Sequence, residues 1–136
     1  MAQLRTHVDP SSEEFVANRK YQLEMVDELN EQLEKVIAGG GERYLERHRQ
    51  RGKLPVRERL ELLLDPDSPF MELSPLAAWG TEFTVGATVL TGIGVVSGVE
   101  SMIIGHDPTV RGGAMNPFSL KKTLRAWRSR DSTGCR

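Results

Sequence analysis

The chain has 136 residues, enough for one domain with a hydrophobic core. Hydrophobic residues make up 38% of it and charged residues 27%, a balance typical of soluble globular proteins. The formal net charge of -1 argues against a dedicated nucleic-acid-binding protein, because such domains carry a marked positive charge. No apolar run approaches the roughly 18 residues that a membrane helix needs, so the composition also argues against a membrane partner.

Cysteine and histidine are too sparse for a disulfide framework or a metal site. The one cysteine, Cys135, has no second cysteine in the chain to pair with. The histidines His7, His48 and His106 lie far apart, without the helical pairing of metal-binding motifs. Residues 1–10 lack the apolar stretch of a secretory signal, which favours a cytoplasmic location.

A long helix is the first predicted element. Ser11 and Glu14 have the spacing of a capping box, so we expect the helix to begin there. Apolar residues then form one stripe at helical spacing: Val26, Leu29, Leu33 and Val36. The glycines at 39–41 should end the helix, because glycine readily adopts the left-handed conformation at a helix C-terminus.

Two shorter helices follow. The second runs from Glu42 to about Arg51 and ends at Gly52. The third starts near Pro55, ends at about Asp65, and is expected to turn three leucines inward: Leu60, Leu63 and Leu64. Residues 42–59 are rich in arginine, which suggests a phosphate or nucleic-acid contact. Glutamates interleave with these arginines, however, and a solvated surface with paired charges is the favoured interpretation.

The second half has the pattern of strands and turns. Residues 70–73 form a short candidate strand, and residues 79–87 read as a loop with some extended structure. The β-rich runs 91–96 and 99–105 flank Ser97 and Gly98, which predicts a hairpin. The continuous apolar run 102–104 suggests a strand that is buried on both faces.

The connection from Asp107 to Pro117 is the main candidate functional segment. Its glycine pair, Gly112 and Gly113, lets backbone N–H groups approach a ligand closely, as an oxyanion site requires. A tight surface turn between a strand and a helix is the simpler alternative. A helix is expected from about Phe118 to Trp127, and a helix N-terminus behind glycines favours anions such as the phosphates of a nucleotide or coenzyme A. The sequence lacks the complete phosphate-loop pattern, which argues against an ordinary NTPase.

Several segments together resemble the carboxyltransferase β subunits of biotin-dependent acyl-CoA carboxylases. They are residues 52–68, 70–74, 91–99 and 106–114, followed by the basic pair Lys121 and Lys122. The resemblance covers about residues 40–126. It implies an α/β (α+β) fold, namely a truncated crotonase-like ββα superhelix preceded by an α-helical N-terminal extension. The corresponding division is residues 1–66 for the extension, 67–126 for the start of the carboxyltransferase domain and 127–136 for a divergent tail.

The resemblance also implies an activity, the transfer of a carboxyl group from carboxybiotin to the α-carbon of an acyl-CoA. Residues Gly112, Gly113 and Ala114 are then expected to line the acyl-CoA pocket through their backbones, and Lys121 and Lys122 to lie near the coenzyme A phosphates. No catalytic residue and no metal ligand is assigned. The chain itself would bind no cofactor, because biotin arrives on a partner protein. The implied partners are acyl-CoA, a biotin carboxylase and biotin carrier α subunit, and further β subunits.

Members of that family are several times longer than this chain, and their principal oxyanion-hole glycines lie further along. We therefore expect the chain to be inactive alone, and a truncation or frameshift would explain residues 127–136. The alternative is a non-catalytic assembly module that binds carboxylase subunits through its N-terminal helix. The apolar strand at 99–105 should also leave an exposed sheet edge that promotes oligomers or aggregation.

Overall fold

The computed structural model of the chain describes residue 6 and residues 8–134, with the backbone alone at 131–133. The sequence observations on His7 and Cys135 lie outside these residues. The chain divides into two compact units, residues 1–31 and residues 32–136. All three strands and three of the α-helices belong to the second unit, which also contains the candidate functional segment.

Helix α1 spans Glu13–Ala38. The hydroxyl of Ser12 accepts a hydrogen bond from the Phe15 backbone N–H at 3.2 Å, whereas Ser11 bonds to the Asp9 carboxylate. The predicted capping box at Ser11 is therefore wrong by one residue, and Ser12 accepts the capping bond instead. Ser11 is bonded to the Asp9 carboxylate in a turn before the helix. No residue of α1 is buried. The helix ends before Gly39, as the glycine run predicts.

Helices α2, Glu42–Gln50, and α3, Val56–Leu63, follow close to their predicted positions. Leu60 is buried and Leu64 packs against the core, but Leu63 is 49% exposed. The inward prediction is thus wrong for Leu63. The residues facing the sheet are spaced by four, at Val56, Leu60 and Leu64, and Leu63 falls beside that stripe.

The sheet has three antiparallel strands in the order β1-β2-β3, with β1 at Phe70–Glu72, β2 at Val89–Val96 and β3 at Val99–His106. Ser97 and Gly98 both have positive φ angles, of 51° and 76°, as a two-residue hairpin turn requires. The predicted hairpin is confirmed. The core consists of Val56, Leu60 and Leu90, with Leu64, Phe70 and Ile103 packed around it.

Strand β3 is not buried on both faces. Its residues are half-buried or exposed, and within the described chain it pairs only with β2. The continuous apolar run at 102–104 therefore gave a wrong prediction of burial, because β3 lies at an edge of the sheet with a single neighbour. Such an edge carries unpaired backbone groups that can pair with another strand.

Helix α4 spans Pro117–Thr133 and runs past the predicted end at Trp127. The Asn116 side chain caps it by accepting from the Phe118 and Ser119 N–H groups, and the Ser119 hydroxyl accepts from the Asn116 N–H in return. The C-terminal cap is Gly134 at φ 74°. Among the described residues, no helix is long and apolar enough to cross a membrane.

Candidate functional site

The candidate segment begins with an aspartate turn at the end of β3. The Asp107 N–H donates to the Thr88 carbonyl at 3.0 Å. Its carboxylate Oδ1 accepts from the Thr109 N–H at 2.9 Å and from the Thr109 hydroxyl at 2.6 Å. These bonds turn the chain out of the sheet and fix the direction of the residues that follow.

The glycines after α1 pack directly against this turn. The Gly40 N–H donates to the Thr109 hydroxyl at 3.1 Å. A Cβ atom added at Gly40 would lie 2.0 Å from the Thr109 carbonyl oxygen, and one added at Gly39 would lie 2.8 Å from the Asp107 carboxylate. Only glycine permits so close an approach of the two backbones, so the end of α1 helps to hold the candidate segment in place.

The predicted glycine pair forms a short 3-10 turn, Arg111–Gly113, with Arg111 and both glycines at positive φ. The Gly113 N–H donates to the Val110 carbonyl at 2.9 Å, and the Ala114 N–H to the Arg111 carbonyl at 3.3 Å. Two of the expected ligand-facing N–H groups are thus engaged within the turn. The N–H of Gly112 is not part of those bonds, and a Cβ added at Gly112 would meet no atom within 4 Å.

The structure separates the two lysines that follow. Lys121 is exposed, and its Nζ lies 5.5 Å from the centre of the Phe118 ring, within range of a cation–π contact. Lys122 is only 4% exposed, and its Nζ donates to the Gly86 carbonyl at 3.3 Å. Consecutive residues of a helix point about 100° apart, so adjacent lysines need not share an environment.

Lys122 belongs to a half-buried group of charges. Arg57 and Glu72 form a bidentate ion pair, with 2.9 Å between Nη1 and Oε2 and 3.2 Å between Nη2 and Oε1. Burial lowers the pKa of Lys122 to about 8, while the Glu72 carboxylate acts to raise that pKa and the Arg57 charge to lower it. A cavity of about 30 Å³ adjoins Arg57, Glu72 and Gly86, which is room for water but not for a substrate.

The residues that support Lys122 were missed by the sequence reading. Gly86, Ala87 and Thr88 form a left-handed turn, with φ angles of 87°, 56° and 62°. The Thr88 hydroxyl donates to the Ala114 carbonyl at 3.1 Å, which ties this turn to the glycine-pair segment. Gly86 was the one residue whose identity could have indicated this turn. A left-handed backbone is uncommon at alanine and threonine, so Ala87 and Thr88 gave no indication of it.

Two of the grooves in the second unit adjoin glycine runs. One, of about 490 Å³, is lined by residues 38–41 and by a loop that carries Trp79 and Phe83. None of the predicted substrate-binding residues lines it. The other, of about 270 Å³, has Gly112 on one side and basic residues at the end of α2 on the other, namely Arg47, His48 and the C-terminal cap Arg51. This second groove brings the glycine pair next to the arginine-rich segment.

No group of three or more potential metal-ligating side chains occurs among residue 6 and residues 8–134. The described segment offers backbone donors at an exposed turn and positive charge beside it.

Comparison with known proteins identifies a family. The carboxyl transferase domain model matches residues 47–136. A probable biotin-dependent acyl-coenzyme A carboxylase beta2 subunit of Mycobacterium tuberculosis is 52% identical over 123 residues, which is 90% of this chain and 23% of that protein. A probable mitochondrial methylcrotonoyl-CoA carboxylase beta chain of Drosophila melanogaster is 42% identical over 126 residues, covering 90% of this chain and 22% of the relative.

Solved structures agree on the fold. The beta subunit of Pseudomonas aeruginosa geranyl-CoA carboxylase superposes with a TM-score of 0.85 at 33% identity, over 97% of this chain and 25% of that one. Transcarboxylase 12S, solved as a hexamer assembly with methylmalonyl-coenzyme A bound, superposes with a TM-score of 0.71 at 33% identity. The match covers 80% of this chain and 22% of that one. The predicted crotonase-like carboxyltransferase fold is confirmed. The chain spans about a quarter of the length of the proteins it matches.

Proposed function

Because this chain belongs to the carboxyl transferase domain family, we propose that it forms an acyl-CoA-binding part of a biotin-dependent acyl-CoA carboxyltransferase β subunit. The observation that carries the proposal is the Gly112 turn. Its backbone is exposed and left-handed, and a Cβ added there would meet no atom within 4 Å. The turn also lies in a segment that resembles the family's aspartate and glycine-pair sequence. A bound acyl-CoA can approach such a backbone without a steric barrier.

Within this proposal, Gly112, Gly113 and Ala114 line the path of the acyl-CoA through their backbones. Lys121 is exposed at the start of α4 and is available to a phosphate of the coenzyme. Lys122 is buried, so it would act on the ligand through the Gly86 turn and not by direct contact. Carboxybiotin would be brought by a partner that carries it, and we assign none of the described residues to it.

The carboxyl transfer itself needs more than these residues. Removal of the α-proton of a thioester creates an enolate, whose oxygen must be held by donors placed in advance. The N–H groups of Gly113 and Ala114 are already engaged within their own turn, which leaves that of Gly112 outside those bonds. We therefore propose that the chain binds acyl-CoA but does not turn it over alone, and that it acts in the cytoplasm together with the rest of the β-subunit machinery.

The test is a titration of the isotope-labelled chain with propionyl-CoA, followed through its amide NMR signals. We expect saturable shifts at Gly112, Gly113 and Ala114, with no carboxylated product when free carboxybiotin is also supplied. Gly98 is the internal control, because it has a similar left-handed backbone in the distant hairpin turn. Shifts confined to residues outside 107–117, or turnover by the chain alone, would contradict the proposal.

A second candidate function, subunit assembly, has its own support in α1. No residue of this helix is buried, and Val26 and Leu29 are 47% and 37% exposed. Apolar side chains repeated on one helix face favour association with another apolar surface. We propose that this face contacts a second copy of the chain.

Light scattering tests the assembly proposal. Replacement of Val26 and Leu29 by glutamate should shift oligomers toward monomer, whereas Val16→Glu, at a 55% exposed position on another face of α1, should not. A wild-type chain that is monomeric at every concentration tested would rule out self-assembly through α1.

A further inference from the structure

The arginines of residues 42–59 fall into two groups in the structure. The Arg49 Nε donates to the Glu58 carboxylate at 3.1 Å, and the Arg57 guanidinium is paired with Glu72. Arg47 and Arg51, by contrast, form no ion pair with any residue in the described part of the chain. Their positive charge is therefore not neutralised locally.

Four arginines of this segment form no ion pair in the described part of the chain, and of these Arg47 and Arg51 line the groove of about 270 Å³ between α2 and the glycine-pair turn. They are four residues apart, so they lie one above the other on the same face of the helix. Tyr44 and His48 complete this wall, and the opposite wall is formed by Pro108, Thr109 and Gly112. The groove thus combines two guanidinium groups with an exposed glycine backbone.

The charges favour an anion in spite of the helix dipole. Arg51 caps the C-terminus of α2, where the dipole contributes roughly half a negative charge. Two full positive charges on Arg47 and Arg51 outweigh that contribution. A guanidinium also presents several N–H donors in one plane, which matches the oxygens of a phosphate better than those of a smaller or neutral ligand.

We propose that this groove binds the phosphate groups of acyl-CoA, with Arg47 and Arg51 as the phosphate ligands. The identity of the ligand rests on the proposed function, whereas the preference for phosphate follows from the charges of the groove. The long pantetheine arm of coenzyme A separates its phosphates from the thioester. The proposal therefore assigns the Gly112 side of the groove to the coenzyme end of the substrate and leaves the thioester to another part of the site.

The test compares two charge-removing changes on the same helix. The 136-residue chain is titrated at low salt with propionyl-CoA, as wild type, as Arg47→Gln/Arg51→Gln and as Arg49→Gln. We expect the double variant to bind propionyl-CoA at least about tenfold more weakly, because two charge-assisted contacts are lost. Arg49→Gln should bind like the wild type, since Arg49 is paired with Glu58 and does not line the groove.

Two further ligands separate this inference from the proposed function. Propionyl-pantetheine has no phosphate, so its affinity should be the same for all three chains. Inorganic pyrophosphate should bind the wild type and Arg49→Gln but lose affinity for the double variant. Urea denaturation of each variant shows whether it is folded before its affinity is compared.

Equal weakening by Arg49→Gln and by the double variant would overturn the proposal, because the effect would then be one of overall charge. Unchanged propionyl-CoA affinity in a folded double variant would overturn it while leaving acyl-CoA binding intact. Pyrophosphate binding without any propionyl-CoA binding would overturn acyl-CoA as the ligand and the proposed function, although the groove would remain a phosphate site.

Discussion

The chain contains two runs of glycine that look alike in sequence and differ in what they require. At Gly39 and Gly40, an added Cβ atom would collide with the Asp107 turn, at 2.8 Å and 2.0 Å. At Gly112, an added Cβ would meet nothing within 4 Å, but the backbone has a φ of 70°. Gly40 is glycine for lack of space, Gly39 for lack of space and for its φ of 54°, and Gly112 for its conformation alone. The packed pair, Gly39 and Gly40, supports the structure, whereas the open pair, Gly112 and Gly113, leaves room for a ligand.

The largest effect should come from filling the packed pair. Gly40→Ala would force the Thr109 backbone away, since its carbonyl oxygen lies 2.0 Å from the new Cβ. We expect the free energy of unfolding to fall by about 3 kcal/mol or more, as for severe overpacking. Urea denaturation measures this loss.

The matched control for that change is Gly41→Ala. Gly41 also has a positive φ, of 83°, but nothing lies within 4 Å of its added Cβ. Gly41→Ala should therefore lower the free energy of unfolding only by the cost of a left-handed backbone at alanine, roughly 1–2 kcal/mol. If Gly40→Ala and Gly41→Ala are equally stable, the close contact between the end of α1 and the Asp107 turn is wrong.

The second prediction concerns Lys122, which supports the Gly86 turn that is tied to the glycine-pair segment. Lys122 is buried, and its pKa is lowered from 10.5 to about 8. Between these two pH values the unfolded chain holds a proton at Lys122 that the folded chain has released, so the free energy of unfolding rises with pH. Relative to Lys122→Met, the wild type should gain up to about 3 kcal/mol across this window and nothing below it.

Urea denaturation at a series of pH values between about 7 and 10.5 provides the measurement. Taking the difference between wild type and Lys122→Met removes the contribution of the other titrating groups, which both proteins share. Parallel stability profiles for the two proteins would mean that Lys122 is solvated, and that the Gly86 carbonyl does not hold it inside the fold.

The different environments of Lys121, which is exposed, and Lys122, which is buried, show what the sequence can and cannot predict. Ser97 and Gly98 predicted the hairpin because local turn chemistry determines its geometry. The burial of Lys122 could not be predicted, because it depends on Glu72 and Gly86, which the fold brings close from distant positions. The same applies to the left-handed backbone at Thr88, which is a position where sequence carries no signal.

Within the arginine-rich segment, the sequence predicted a charged surface with some paired arginines but not which partners they find. Interleaved glutamates predicted ion pairs four residues apart, but Arg49 pairs with Glu58 of the next helix and Arg57 pairs with Glu72 of β1. Arg47 and Arg51 have the same local sequence character but lie on the face next to Gly112. Which arginines remain unpaired is decided by how α2 packs beside the Asp107 turn, and one sequence does not contain that information.

The smallest effect on stability, and the sharpest contrast with the packed pair, should come from Gly112→Ala. No atom blocks the added methyl group, so the cost is the left-handed conformation of a non-glycine residue, about 1 kcal/mol. Gly98→Ala is the matched control, with a φ of 76°, open space around it and a position in the hairpin turn away from the groove. Both variants should lose similar stability, but only Gly112→Ala should weaken propionyl-CoA binding, because its methyl group enters the groove. If the two variants bind propionyl-CoA equally well, the open glycine is a turn residue alone and the ligand lies elsewhere.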